Sequence, residues 1–284
     1  MLDEKLVEEI VRAVLEQLEA ERDCCKGCGG ENPCRDIASK ECRQTTLLAE
    51  PADAEAMRRM KKRTTARIGV GRTGPRLNTQ TLLTLRADHA KARDAVFLDV
   101  PPEFVESLGL FTVQSRCVEK NQFLTRPDLG RQLCEEGEAA IRSRCTPNPD
   151  VQIFLADGLS STAIEANAET ILAILIEGLR QRGFTVGTPF FVRFGRVGIE
   201  DQVAEILGAK VVCVLIGERP GLGSAESMSA YIAYNARVGM PEARRTVVSN
   251  IHRDGINAAE AGAYLVDLIE KVYREKASGV ALRQ

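Results

Sequence analysis

The chain has 284 residues, with 38 basic against 40 acidic side chains, a formal charge of −2 and no tryptophan. Its length allows one large domain or two ordinary ones with a real core, and its 44% hydrophobic and 27% charged residues are those of an ordinary globular chain. The near-neutral charge excludes a general nucleic-acid binder, and no apolar run approaches the roughly 20 residues of a membrane span, so neither nucleic acid nor membrane is expected as a partner.

Residues 1–20 read as an amphipathic helix. Leu2, Leu6, Ile10, Val14 and Leu18 recur every four positions, and Asp3, Glu4, Glu8, Glu9, Glu16 and Glu19 fill the other face. The acidic face argues against anionic lipid and against a secretory signal. The helix serves either self-assembly or docking to another protein. Residues 21–60 carry Cys24, Cys25, Cys28, Cys34 and Cys42 among glycines, without apolar periodicity, and read as a flexible linker. One C-x₂-C pair lacks the matching second pair that a zinc site needs, and without an export signal the thiols are expected to stay reduced. No metal is expected.

Residues 61–146 are expected to form a mostly helical region. A basic run from Arg58 to Arg72 precedes it, either a solvated face or a contact for an acidic partner. A helix is expected over Thr79–Val96, and another starting at Leu124-Thr125-Arg126-Pro127-Asp128. Pro147-Asn148-Pro149 marks a boundary, and residues 147–284 follow a different grammar. Val151–Ala156, Pro189–Phe194, Lys210–Ile216 and Thr246–Asn250 read as strands, separated by helices near Thr162–Gln181 and at Ile199–Leu207. A long helix at Asn257–Lys276 closes the chain. This predicts an α/β fold with a Rossmann-like, mainly parallel sheet.

Ligands of open α/β sheets bind beyond the carboxyl ends of the strands. Three such ends stand out: Asp157-Gly158-Leu159-Ser160, Gly217-Glu218-Arg219-Pro220-Gly221-Leu222-Gly223 and Ser249-Asn250-Ile251-His252. The second is the best site candidate, with close backbone approach at its glycines and a hydrogen-bond acceptor in Glu218. Equally, it reads as a structural turn with a solvated Glu-Arg pair. It fits neither G-x-G-x-x-G nor G-x-x-x-x-G-K-[ST], which counts against the alternative of a nucleotide-binding α/β enzyme. His89 and His252 have no nucleophile-elbow partner. In Asn250-x-His252-x-x-Gly255, asparagine stands where the cobalt-ligating D-x-H-x-x-G pattern has the aspartate that orients its histidine, so His252 is not expected on cobalt.

In order along the chain, Gly71-Arg72-Thr73-Gly74-Pro75-Arg76, Leu124–Asp128, Asp157–Ser160, Gly187-Thr188-Pro189-Phe190-Phe191-Val192-Arg193, Gly195-Arg196-Val197, Gly217–Gly223, Ser249–His252 and Lys276-Ala277-Ser278-Gly279 resemble the small (light) subunit of ethanolamine ammonia-lyase. That resemblance implies a carbon–nitrogen lyase, active only with a large TIM-barrel subunit that holds the substrate. It implies adenosylcobalamin, which keeps its own benzimidazole on cobalt, and radical conversion of ethanolamine to acetaldehyde and ammonia. The cofactor carries the hard chemistry, and the protein positions and shields it. The family's cobalamin contacts fall on Val197, Glu218 and Val247; at the last the family usually has cysteine. No catalytic side chain is expected here. The resemblance also implies a bacterial cytoplasmic setting inside an ethanolamine-utilisation microcompartment, with residues 1–20 binding shell or cargo proteins.

Overall fold

The computed structural model describes residues 37, 38 and 40–282. The helix expected over residues 1–20, and Cys24, Cys25, Cys28 and Cys34, lie outside them. The chain divides into two compact units, one up to Ala87 and one from Asp88, with the division inside the helix Thr79–Phe97.

In the first unit, helices Lys40–Gln44 and Ala54–Lys61 fall mostly within the residues for which a linker is expected. Asp53 caps the second, accepting the Ala56 N–H at 2.8 Å. A two-residue hairpin, β1 (Arg72–Thr73) and β2 (Arg76–Leu77), turns at Gly74 with φ +60°. Of the basic run, Arg58, Arg59, Lys62, Arg63 and Arg72 are exposed. Lys61 is buried and donates to the Ile68 carbonyl at 2.9 Å, and Arg67 donates to the Ile37 carbonyl. The run is mainly a solvated face pinned at two points.

The helix Thr79–Phe97 forms as expected and buries Ala92 and Ala95 in its second half, but the burial of its first half is inverted. Thr81, Thr84 and Asp88 are buried, whereas Leu82, Leu83 and Leu85 are exposed.

The second unit is built on a six-stranded sheet: β3 (Phe111–Gln114), β4 (Val151–Ala156), β5 (Phe190–Arg193), β6 (Val211–Gly217), β7 (Met228–Tyr234) and β8 (Thr246–Ile251). The order is β3-β5-β4-β6-β7-β8, parallel throughout except for β7, which runs antiparallel to both neighbours. Strand β6 reads as an unbroken apolar run, and β4 is broken only by the buried Gln152, because both faces are covered. Val151, Ile153, Leu155, Val211, Cys213 and Leu215 face one core, shared with the helices Ser161–Gln181 and Ala258–Glu275. Phe154, Ala156, Val212, Val214 and Ile216 face the other, shared with the helices Glu135–Arg144 and Ile199–Leu207. The chain is thus an α/β fold, with a mainly parallel sheet between two helical layers.

Several boundaries follow from local chemistry. Ser160 caps the Ser161–Gln181 helix and Asn257 caps the last one, while Gly208 ends Ile199–Leu207 at φ +65°. The start expected at Leu124–Asp128 is instead an end. A short helix, Lys120–Thr125, stops there, because Pro127 disfavours the helical conformation at Arg126, whose φ and ψ are −123° and 72°. The mostly helical reading of that stretch also passed over β3.

Candidate functional site

Loops from the carboxyl ends of β4, β5 and β6 converge. Gly158, after β4, has φ +56°, and a Cβ there would sit 2.4 Å from the Gly217 carbonyl oxygen. A Cβ on Gly217 would meet the Ser160 carbonyl at 2.1 Å. Only glycine permits this approach, which a hydrogen bond from Leu159 N–H to the Gly217 carbonyl closes at 3.0 Å. Asp157, 2% exposed, reaches across to β5 and accepts the N–H of Phe194 at 2.8 Å and of Gly195 at 3.1 Å. Burial raises its pKa to about 6, although the nearby Lys120 charge and these N–H groups oppose the shift.

Beyond β6 the chain does not enter a helix. Residues 218–227 return it into antiparallel β7, so the glycine segment does not lead into a helix of its own, as phosphate-cradling nucleotide loops do. The segment is firmly held. Ser160 and Thr162 hydroxyls donate to the Ala225 carbonyl, at 2.5 and 2.8 Å, and the Asn167 amide donates to the Glu226 carbonyl at 2.9 Å. Glu218 does not pair with Arg219. Its carboxylate accepts the Ser227 hydroxyl at 2.7 Å, the Ser229 hydroxyl, and the Asn250 N–H at 3.2 Å. Three donors fix this group and leave lone-pair capacity for a ligand's N–H or O–H.

On this face of the sheet Ser229, Tyr231, Val247 and Ser249 join the loops around one cavity of about 410 Å³. Gly158, Leu159, Arg196, Val197, Ile216, Gly217, Glu218 and Arg219 complete its lining. Tyr231 and Val247 are direct cross-strand partners. Val197, Glu218 and Val247, separated by up to fifty positions, therefore meet in one place. Val247 is 45% exposed, an apolar side chain open to a ligand. Burial and the Glu218 charge raise the Tyr231 pKa.

Beside the cavity, Arg245 is 2% exposed at its side chain. It donates to Glu200 at 2.5 Å, Asp201 at 2.7 Å and Glu242 at 2.7 Å. It thereby joins the start of β8, which carries Val247, to the first turn of the helix that follows Val197. Burial pushes the Glu200 carboxyl up to about 8, against the pull of Arg245.

The residues fit part of a corrinoid. Val197, Leu159, Ile216 and Val247 offer an apolar wall, Glu218 an acceptor for amide or hydroxyl protons, and Arg196 and Arg219 cations. The cavity is too small to enclose such a molecule. Strand β7 was absent from the expectations, and with it Ser229 and Tyr231. The alternation of Met228, Ala230 and Ile232 with Ser229 and Tyr231 carries that signal. His252 does not line the cavity, and its Nδ1 accepts the Asp254 N–H at 3.2 Å within a local turn. His89 is exposed on its helix. Among the described residues no group of three or more His, Cys, Asp or Glu could hold a metal, and no helix is long and apolar enough to cross a membrane.

Residues 54–283 match the family described as ethanolamine ammonia-lyase light chain (EutC). The chain is 54% identical over 248 residues to a protein of Fusobacterium nucleatum subsp. nucleatum named ethanolamine ammonia-lyase small subunit, covering 87% of this chain and 84% of that protein. A Clostridium tetani protein of the same name is similar to the same extent, 54% over 248 residues.

Proposed function

The chain belongs to the ethanolamine ammonia-lyase light-chain family, and from that membership we propose that it forms one wall of an adenosylcobalamin site closed by a large subunit. One observation carries the proposal. Val197, Glu218 and Val247, the three positions at which the family's cobalamin contacts fall, line a single open cavity too small for the whole cofactor. A wall of this kind needs a second protein to complete it.

Bound adenosylcobalamin supplies radical chemistry, which converts ethanolamine to acetaldehyde and ammonia. This chain's part is to bind, orient and exclude water. Val197 and Val247 pack on apolar surface, and Glu218, already oriented by Ser227, Ser229 and the Asn250 N–H, accepts a hydrogen bond from an amide or hydroxyl. Substrate and its reacting groups lie on the large subunit. Exposed Leu82, Leu83 and Leu85, close together on one helix, support a protein partner, because large exposed apolar side chains are drawn to interaction surfaces.

The test is adenosylcobalamin binding and acetaldehyde release by the chain with and without its large subunit. Turnover and tight binding are expected only for the pair. Turnover by this chain alone, or wild-type affinity in a Glu218→Ala, Val197→Asp double variant of the pair, would refute the assignment. Residues 1–20 we place as the docking helix for microcompartment shell or cargo proteins in the bacterial cytoplasm. A reporter fused to the chain should lose encapsulation when they are deleted, and unchanged encapsulation would remove that role.

A further inference from the structure

The Val197 turn is flanked by three arginines, of which Arg196 and Arg219 make no ion pair among the described residues. Arg196 and Arg219 line the cavity, and Arg131 packs along Gly198. Two acids of the site are already engaged: Glu218 by two serine hydroxyls and the Asn250 N–H, and Asp157 by the N–H groups of Phe194 and Gly195. Arg219 makes no hydrogen bond or ion pair among the described residues, and Arg131 reaches only Glu242, at 3.9 Å.

Arg196 is held rigidly. Its guanidinium lies 4.2 Å from the centre of the Phe123 ring, and Nη2 donates to the Phe123 carbonyl at 2.9 Å. Its backbone N–H donates to the Gly130 carbonyl at 2.8 Å. Nε is buried and has no partner. Burial and the charges of Arg219 and Arg131 pull its pKa below the ordinary guanidinium value. A planar guanidinium whose Nη1 makes no hydrogen bond among the described residues, beside a second unpaired guanidinium, is the arrangement that phosphate oxygens satisfy. The adjoining apolar wall of Leu159, Val197 and Ile216 requires that the anion be attached to an apolar body.

We propose that Arg196 and Arg219 form a phosphate subsite that takes the phosphodiester of the cobalamin nucleotide loop. This deepens the cobalamin reading above and rests on it. The corrin side chains are neutral amides and the ribose and benzimidazole are uncharged, so the phosphodiester is the one anionic group this pair could select. Arg196 then anchors the nucleotide end while Val197, next in sequence, packs on apolar surface.

The experiment compares cobalamin with cobinamide, which lacks the phosphodiester, ribose and base, by absorbance titration of the chain assembled with its large subunit. Arg196→Gln and Arg219→Gln should each weaken cobalamin binding by about tenfold, the scale of one charge-assisted hydrogen bond, and leave cobinamide binding unchanged. Arg219 is exposed, so Arg219→Gln carries the test even if Arg196→Gln folds poorly. Inorganic phosphate should weaken cobalamin binding by the wild type and have less effect on Arg219→Gln. Wild-type cobalamin affinity in Arg219→Gln, or equal losses for the two corrinoids, would overturn the subsite. Phosphate binding that both variants lose while cobalamin affinity holds would show a site for free phosphate and equally overturn it. A wild-type pair that binds neither corrinoid would instead sink the cobalamin reading.

Discussion

Asp157, at the end of β4, accepts the backbone N–H of Phe194, a non-glycine residue at φ +58° just beyond β5. This link holds a left-handed residue in place and, through Gly195, sets Arg196 and Val197 at the cavity. The Phe194 ring stacks on Phe123, with centroids 5.8 Å apart, the same ring that Arg196 covers. One buried carboxylate therefore supports two of the side chains that line the site.

Asp157→Asn keeps one acceptor but turns an amide donor toward a backbone N–H. It should lower stability by about 1–3 kcal/mol and weaken cobalamin binding by the assembled pair. The pH behaviour gives a second readout. The Asp157 pKa is raised from 3.8 to about 6 on folding, so its contribution is full below the unfolded value and is lost as pH rises through about 6. Urea midpoints measured across that window should fall more steeply for the wild type than for Asp157→Asn.

Arg245 and Glu200 make a sharper pair of variants. Arg245→Met leaves Glu200 and Asp201 buried without their cation, and should cost about 3–5 kcal/mol in urea unfolding. Glu200→Gln keeps shape and hydrogen-bonding capacity and should be milder. Glu200 is also raised, from 4.5 to about 8, so its share of stability is present at low pH and disappears as pH rises through that value. Glu200→Gln should flatten this slope. An identical slope in the variant would mean that Glu200 is ionised at neutral pH.

Gly158→Ala places a Cβ 2.4 Å from the Gly217 carbonyl in a backbone at φ +56°. Strain alone is about 1–3 kcal/mol, and the clash forces the β4 and β6 loops apart. A lower melting temperature together with weaker cobalamin affinity is expected, whereas Gly183→Ala, with positive φ but open space around it, should affect stability alone.

Val247→Cys introduces, at an exposed strand position, the residue that the family resemblance leads one to expect there. Stability should stay within about 0.5 kcal/mol of the wild type, and cobalamin affinity should be equal or tighter. A clear loss of affinity would show that Val247 contributes through its volume rather than its place.

Much of the second unit was legible because strands buried on both faces are written as continuous apolar runs: Val151–Ala156 and Val211–Gly217 fall where their composition puts them. The ends of helices were legible through Ser160, Gly208 and Asn257, whose chemistry is local. Strands β3 and β7 were not. Each is short or mixed in polarity, and β7 becomes a strand through its neighbours β6 and β8, which lie far away in sequence. The same limit applies to the site. Glu218 could be singled out by its loop and Val197 through the family resemblance, but that Ser227, Ser229 and Asn250 orient Glu218 depends on pairing across three strands. In the helix Thr79–Phe97, the exposure of Leu82, Leu83 and Leu85 is set by tertiary packing, which periodicity alone does not report.

Those three leucines have a corollary for biogenesis. A newly made chain that carries such a bare greasy row is prone to clump before it meets whatever covers it. Cells and expression hosts should therefore yield more usable material when both polypeptides are translated together, and exchanging the row for glutamines should free this chain from that dependence while spoiling its assembly.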